Sequence, residues 1–173
     1  MSDYTPSRRL AGIDDLLLYR LSRFSARAGT MVVRLCEGGY GITRREWRVI
    51  GLMQEDEPLT SSAVAQRIQL DRARTSRVLS SLVDKGLLSR TVPPDNRREV
   101  RVCLTPAGVA LRQQLMPQVQ RINQRILSVL TDAEMAQFDH MVQRLQAAAD
   151  QLSQTLQADL PKTQRRLGRH GKS

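Results

Sequence analysis

Residues 59–86 read "LTSSAVAQRIQLDRARTSRVLSSLVDKG" and contain two short helical patterns with almost nothing between them. In the first pattern, Thr60 or Ser61 can cap a helix whose aliphatic residues recur on one face. In the second, Asp71 is a favourable N-cap and Gly86 is a favourable stop. Two short helices joined by so tight a turn predict a helix-turn-helix.

The segment after these helices, residues 87–104, predicts two antiparallel strands joined by a turn. Every second residue from Val100 to Leu104 is apolar, which is typical of a half-buried strand. Between the strands, "PPDNRRE" at residues 93–99 supplies turn residues and two arginines. A helix-turn-helix followed by a two-stranded hairpin is a winged helix.

Helical patterns lie on both sides of this region. Apolar residues at steps of three and four predict a helix over residues 13–38, and "TRRE" at residues 43–46 predicts a capping box that opens the next one. After Thr105, two further helices carry long apolar stripes. The fold class is therefore mainly α with a small β-hairpin wing. The outer stripes need a partner, so these helices are expected to be N- and C-terminal dimerisation helices.

The excess positive charge lies in two segments of the 173-residue chain, whose formal net charge is +10. Residues 60–104 contain nine Arg or Lys and four Asp or Glu, a net of +5. Residues 161–173 contain five basic residues and no acidic one, again +5. A basic segment inside a folded region indicates a polyanionic partner, most often nucleic acid, whereas a short basic terminus alone does not.

Residues early in the second helix of a helix-turn-helix face the base edges of the DNA major groove. Serines at a helix N-terminus suit phosphate, and wing arginines suit a narrow minor groove. Duplex RNA has a major groove too narrow for such a helix, which favours DNA. One short helix reads few base pairs, so a dimer with half-sites roughly 34 Å apart is expected. The predicted DNA-binding residues are Ser61, Ser62, Arg72, Arg74, Thr75, Ser76, Arg77, Arg97 and Arg98.

These hypotheses give an expected organisation. It consists of a flexible N-terminus (residues 1–12), a first dimerisation helix (13–38), a winged-helix DNA-binding lobe (43–104, wing 87–104), C-terminal dimerisation helices (105–158) and a basic, disordered tail (159–173).

Over about residues 13–156 the chain resembles the multiple antibiotic resistance regulator (MarR) family of winged-helix transcription factors. The resemblance lies in "LTSSAVAQRIQLDRARTSRVLSSLVDKGLLSR" and "PPDNRREVRVCLTPAG". It implies a homodimer with interlocked terminal helices that binds a pseudo-palindromic operator, typically as a repressor. It also implies that Arg98 enters the minor groove. The acid that usually orients this arginine is replaced here by Asn96, and Asp95 is the alternative support.

The resemblance further implies release from DNA by a small, often aromatic ligand held between the dimerisation helices and the lobe. Aromatic rings beside guanidinium groups suit an aromatic carboxylate. The alternative is that Trp47 belongs to the core and that Arg20 and Arg23 make surface or interface ion pairs. The candidate ligand-binding residues are Tyr19, Arg20, Arg23, Tyr40, Trp47 and Arg48.

Two other modes of action stay open. A redox-responsive regulator would act through Cys36 or Cys103, although neither cysteine has an obvious activating partner in the sequence. A winged-helix interaction module would work without a ligand, but such a module has no need of a basic recognition face. The sequence therefore favours the DNA-binding regulator over both.

Several functional classes are disfavoured by composition. Only His140 and His170 are present, without a Cys/His pattern, so no metal site and no cofactor are expected. No motif of an enzyme appears, so the protein is not expected to be one. Apolar runs are too short to span a membrane, no secretion signal is expected, and two cysteines are too few for a disulfide framework. These features predict a cytoplasmic protein.

Overall fold

A computed structural model of the chain describes residues 12–55, 57–92 and 100–156. The chain divides into two compact units, one up to Ile126 and one from Leu127 onward. The predicted flexible N-terminus, apart from Gly12, and the predicted disordered tail lie outside the described residues. So do Asp95, Asn96, Arg97 and Arg98, which the sequence predicts at the tip of the wing.

The described elements confirm the predicted fold class, mainly helical with a small sheet. A single turn at Ile13–Asp15 precedes the first long helix, which ends in a wider, π-helical turn at Leu35–Gly39. The elements are α1 (Leu17–Arg34), α2 (Arg44–Leu52), β1 (Leu59–Thr60), α3 (Ser61–Ile68), α4 (Arg72–Asp84), β2 (Leu88–Thr91), β3 (Arg101–Leu104), α5 (Pro106–Leu127) and α6 (Asp132–Leu156). Of these, α6 belongs to the second unit.

The helix-turn-helix is formed by α3 and α4, as predicted. The cap of α3 is Thr60, whose Oγ1 accepts a hydrogen bond from the backbone N of Ala63 at 3.1 Å. Gln69 ends that helix in the left-handed conformation, with a φ of 54°. Asp71 caps α4, since its Oδ1 accepts from the backbone N of Arg74 at 2.9 Å. The turn between the two helices is therefore only three residues long, Gln69 to Asp71.

The wing strands pair antiparallel, as predicted, and the structure gives their register, with Leu88 opposite Leu104 and Arg90 opposite Val102. One strand was not predicted: β1 pairs with the other edge of β3 and completes a three-stranded sheet of order β1-β3-β2. A two-residue strand is too short to show the alternation by which strands are recognised in a sequence.

The core of the first unit lies between α2, α3, α4 and the sheet, and α5 contributes Leu115 to it. The start of α5 presses on the hairpin. Thr105 donates its hydroxyl hydrogen to the carbonyl of Gly86 at 2.6 Å, and a Cβ on Gly108 would lie 2.1 Å from the carbonyl oxygen of Leu87. Glycine is therefore required at position 108 by the close approach of two backbone segments.

Two helices keep exposed apolar stripes. On α1, Leu17, Phe24 and Met31 are each about half exposed and recur every seven residues, which places them on one face. On α6, the exposed apolar residues are spaced by three, four and seven positions; they are Phe138, Met141, Leu145 and Leu152. Contiguous apolar surface of this kind is typical of an interaction face. Within the described residues, no helix has the length and apolarity that crossing a membrane requires.

Candidate nucleic-acid interface

Basic side chains are exposed on the first two turns of α4. Arg72, Arg74, Ser76 and Arg77 are all exposed. The guanidinium of Arg74 lies 3.4 Å from the carboxylate of Asp71, and Arg77 Nε donates to the carbonyl of Ala73 at 3.3 Å. Arg74 contacts the N-cap of its own helix, and Arg77 contacts a carbonyl one turn earlier in the same helix. Both guanidinium groups therefore stay exposed at the surface.

The prediction for Thr75 is wrong. Its side chain is 1% exposed, and its Oγ1 donates to the carbonyl of Asp71 at 3.0 Å. It lies on the same face as Leu79 and Leu82, which are buried in the core. Spacing of four and seven residues from these leucines is the signal that would have assigned Thr75 to the inner face.

Arg90, on the wing strand β2, was missed. Its Nη2 donates to Ser80 Oγ on α4 at 2.8 Å. Ser80 follows Ala73 and Arg77 at helical spacing, so it continues the exposed face of α4. Arg90 therefore extends the cationic patch from the helix onto the hairpin. We name this patch, which consists of Arg72, Arg74, Ser76, Arg77 and Arg90, the arginine surface.

Ser61 and Ser62 are exposed at the N-terminus of α3. Ser62 Oγ lies 3.0 Å from Thr60 Oγ1, and either hydroxyl can be the donor. Backbone N–H groups of a first helical turn are available to an anion. The predicted phosphate contact of these serines remains a prediction, and the geometry around them is compatible with it.

A buried carboxylate joins α2 to the far half of α4. Glu46 is 3% exposed. Its Oε1 accepts from Ser81 Oγ at 2.6 Å, and its Oε2 accepts from Lys85 Nζ at 2.9 Å and from the backbone N of Thr43 at 2.6 Å. Burial raises the pKa of the Glu46 carboxyl, but these hydrogen bonds and the charge of Lys85 outweigh it, so the pKa lies below its ordinary value. The carboxylate is therefore ionised at neutral pH.

A cavity of about 470 Å³ lies at the junction of α1, the π-helical turn and α2. It is lined by Ser25, Glu37, Thr43, Arg44, Arg45 and Arg48. Three arginines and one glutamate line the cavity, so its lining is positively charged and favours an anion. Arg44 packs directly on the backbone of α1, because a Cβ on Gly29 would lie 2.3 Å from its Nη1. Only the bare backbone of a glycine leaves space for this guanidinium.

The cavity contains only one of the six predicted ligand-binding residues, Arg48. Trp47 is 7% exposed, which confirms the alternative that it belongs to the core. The hydroxyl of Tyr40 accepts a hydrogen bond from the side-chain amide of Gln118 on α5. These two aromatic side chains support the fold, and neither of them lines this cavity.

The other predicted ligand residues lie on the exposed part of α1. Arg23 Nη1 is 2.7 Å from the carboxylate of Asp14, and its guanidinium lies 5.9 Å from the centre of the Tyr19 ring. Arg20 is exposed nearby. The alternative that Arg23 makes a surface ion pair is thus confirmed. The cavity residues that the sequence analysis did not predict are Ser25, Glu37, Thr43, Arg44 and Arg45. The adjacent arginines of "TRRE" at the start of a helix were the signal for the last three.

Cys36 is poorly placed for redox sensing, whereas Cys103 is partly exposed on β3. Cys36 is fully buried, and burial together with the nearby charge of Glu37 raises the pKa of its thiol despite the opposing effect of Arg44. The Sγ of Cys103 lies 3.1 Å from Ser89 Oγ. The thiolate is the reactive form, so burial makes Cys36 inert. In the part of the chain that the structure describes, no group of three His, Cys, Asp or Glu could hold a metal ion.

Comparison with known proteins identifies relatives of one kind. A family model described as the MarR family matches residues 40–99. The chain is 33% identical over 87 residues to an uncharacterised HTH-type transcriptional regulator, YhjH, of Bacillus subtilis, and the match spans half the length of each protein. It is 24% identical over 122 residues to the homoprotocatechuate degradative operon repressor of Escherichia coli, covering 70% of this chain and 80% of the repressor.

Solved structures agree with these sequence matches. The PcaV transcriptional regulator of Streptomyces coelicolor, crystallised in complex with its natural ligand, is 26% identical. Its superposition covers 84% of this chain and 99% of that one, with a TM-score of 0.66. The transcriptional regulator SlyA superposes with a TM-score of 0.73 over 82% of this chain and 99% of the other, at 19% identity, which is a likeness of fold.

Proposed function

The chain belongs to the MarR family of winged-helix transcriptional regulators, and we propose that it is a homodimeric repressor. It binds a pseudo-palindromic operator and leaves it when a small aromatic carboxylate binds. The observation that carries the proposal is the arginine surface, which continues from the recognition helix α4 onto the wing hairpin.

The recognition helix α4 enters the major groove with its first two turns. Arg72, Arg74 and Arg77 are exposed there, and guanidinium groups bind guanine or phosphate with two donors each. Arg90 is held beside them by its hydrogen bond to Ser80. In the complex it contacts the DNA phosphate backbone next to the major groove. Arg97 and Arg98 belong to the wing tip in this proposal and reach the minor groove. An interaction module without DNA would not need this concentration of cations.

The dimer forms through the apolar stripes of α1 and α6. Each stripe would place several half-exposed large apolar side chains in water if the chain stayed monomeric. Removal of this apolar area from water is what favours association of two chains. In this proposal, residues 13–38 and 105–158 form the dimer, and residues 43–104 bind DNA. Two lobes related by a two-fold axis then read two half-sites.

The effector site is the cavity lined by the α2 arginines. Arg44, Arg45 and Arg48 supply three guanidinium groups, and a carboxylate is the anion that pairs with guanidinium in two parallel hydrogen bonds. The aromatic part of the proposal rests on relatives: the E. coli repressor is named for the degradation of homoprotocatechuate, which is itself an aromatic carboxylate. The similar PcaV protein has a natural ligand.

The function is tested by selection of binding sites from random duplex DNA, together with sedimentation of the free protein and the complex. The expected result is a two-fold related sequence motif bound by two chains. A monomer in solution, or binding without any sequence preference, would refute the proposed function.

Arg74→Ala is expected to lower the discrimination between the operator and a singly substituted operator by about 1–3 kcal/mol at the contacted base pair. The reason is that a bidentate base contact is lost while phosphate contacts remain. Competition binding at fixed salt measures the effect. Arg121→Ala removes a cation from an exposed position on α5 and is the control. A loss that is equal for every sequence would make Arg74 a phosphate contact.

Benzoate is expected to raise the melting temperature of the protein and to weaken operator binding. At a concentration of about 100 Kd it contributes about 2.7 kcal/mol to the stability of the state that binds it. Arg48→Gln should abolish the shift, because it removes one guanidinium from the cavity. Arg23→Gln, which lies outside the cavity, is the matched control. A shift that survives Arg48→Gln and is lost in Arg23→Gln would contradict this location.

A further inference from the structure

We propose that Glu46, Ser81 and Lys85 form a positioning link that sets the orientation of α4 for operator binding. The link also transmits the occupancy of the α2 cavity to the recognition helix. This inference rests on the proposed function of the chain as an operator-binding regulator, and it assigns the link no direct contact with DNA.

Stability alone does not account for the link. Among the residues that the structure describes, Glu46 is the buried charged side chain. Burial of a charge is unfavourable unless it is paired and hydrogen-bonded, and a buried ion pair is often no more stabilising than an apolar pair of the same volume. Unlike apolar contacts, hydrogen bonds to the carboxylate form only over a narrow range of distances and angles. The link therefore fixes the position of α4 relative to α2.

The contacts hold α4 at two points one turn apart. Ser81 binds one carboxylate oxygen of Glu46, and Lys85 binds the other. The same Lys85 ammonium donates to the carbonyl of Gly41 at 2.9 Å, in the loop that precedes α2. Apolar side chains around them can slide past one another at little cost, but these hydrogen bonds cannot. Rotation of α4 about its axis and translation along it would break one of the three contacts.

A small rotation of α4 changes what the arginine surface can reach. Arg74 precedes Ser81 by seven residues, which at 1.5 Å per residue is roughly 10 Å along the helix. Bidentate recognition of a base edge tolerates shifts of well under an ångström, whereas attraction to phosphates falls off gradually. Loss of the link should therefore weaken operator binding more than non-specific binding.

The link also begins at the cavity. Thr43 lines the cavity, and its backbone N donates to the same Glu46 oxygen that binds Lys85. Arg44 and Arg45 line the cavity from the residues between Thr43 and Glu46. An anion that binds Arg44 and Arg45 would displace the first turn of α2, which also contains Glu46. The ligand can shift α4 only by its differential affinity for the two positions.

The test combines three variants of the full-length protein with three measurements. Glu46→Gln keeps the size of the side chain and removes its charge, Ser81→Ala removes one hydrogen bond without any change of charge, and Glu46→Gln/Lys85→Met removes both charges. For each we measure operator affinity, affinity for non-specific duplex and the urea midpoint. Glu55→Gln removes one negative charge from an exposed residue outside the link and is the matched control for Glu46→Gln.

We expect Glu46→Gln and Ser81→Ala to weaken operator binding by about tenfold and about threefold, respectively, with non-specific affinity changed less than about twofold. The double variant should recover the urea midpoint but not the operator affinity. Benzoate should weaken operator binding of the double variant less than that of the wild type.

The proposal is overturned if operator affinity follows the urea midpoint through all variants, or if Ser81→Ala and the double variant bind the operator as the wild type does. An equal effect of benzoate on wild type and double variant would refute the transmission. If the wild type itself selects no DNA sequence, it is the proposed function that fails. Should Glu46→Gln not fold, Ser81→Ala and the double variant still decide the outcome.

Discussion

Replacing Gly108 with alanine is expected to lower the free energy of unfolding by about 3 kcal/mol. Gly108 lies in the first turn of α5, where alanine would ordinarily favour the helix by about 1 kcal/mol. Here the added Cβ would lie 2.1 Å from the carbonyl oxygen of Leu87 and 3.1 Å from a methyl group of Leu104. A backbone carbonyl cannot rotate away as a side chain can, so the helix must move off the hairpin.

Urea unfolding followed by circular dichroism measures this effect. Gly51→Ala is the matched control, since position 51 is also helical and a Cβ there would lie 3.5 Å from the ring of Trp47, an ordinary contact. Gly51→Ala should be neutral or stabilising by up to about 1 kcal/mol. Equal and small effects at both positions would show that α5 is not pressed against Leu87.

Phe24→Glu is expected to convert the dimer to a monomer and to weaken operator binding by about 100-fold or more. The side chain is 51% exposed in the protomer, so a charge there leaves the fold of the single chain intact. In the proposed dimer the same position is buried, and an unpaired buried carboxylate costs several kcal/mol. The second lobe then no longer adds its affinity to the first.

Sedimentation at several concentrations and operator titration measure the two consequences. Thr30→Glu adds the same charge to α1 outside the apolar stripe and is the control; the hydroxyl of Thr30 donates to the carbonyl of Ala26. A dimeric Phe24→Glu protein would move the interface away from α1. If Phe24→Glu were monomeric but kept its operator affinity, operator binding would not depend on two lobes.

The recognition helix α4 shows which features the sequence predicts and which it does not. Its cap at Asp71 and its cationic residues follow from residues next to one another in the chain, and the predicted helix-turn-helix is confirmed. The prediction failed at Thr75 because it counted a whole turn as exposed. Helical spacing from Leu79 and Leu82 separates the inner face from the outer one, but only packing against the core decides which face is inner.

The candidate effector site is a harder case. Aromatic and arginine residues of α1 and α2 predicted a ligand site, but Trp47 is buried in the core and Arg23 is bound to Asp14. Of the predicted residues, only Arg48 lines the cavity at the start of α2. The cavity at the start of α2 instead uses Arg44, which reaches the α1 backbone at Gly29. Arg44 and Gly29 lie fifteen positions apart on two different helices, so no helical spacing in the sequence indicates their contact.

What the sequence determined by itself is the set of helices, their caps, the hairpin and the concentration of charge, because these depend on backbone preferences and on neighbours within one or two turns. The tertiary structure alone decided the partners of Glu46, which lie 35 and 39 residues away, and the strand β1, which exists only where β3 is beside it. Burial and long-range hydrogen bonds depend on which surface covers a residue. That choice is made by the packing of the whole chain and not by any segment of it.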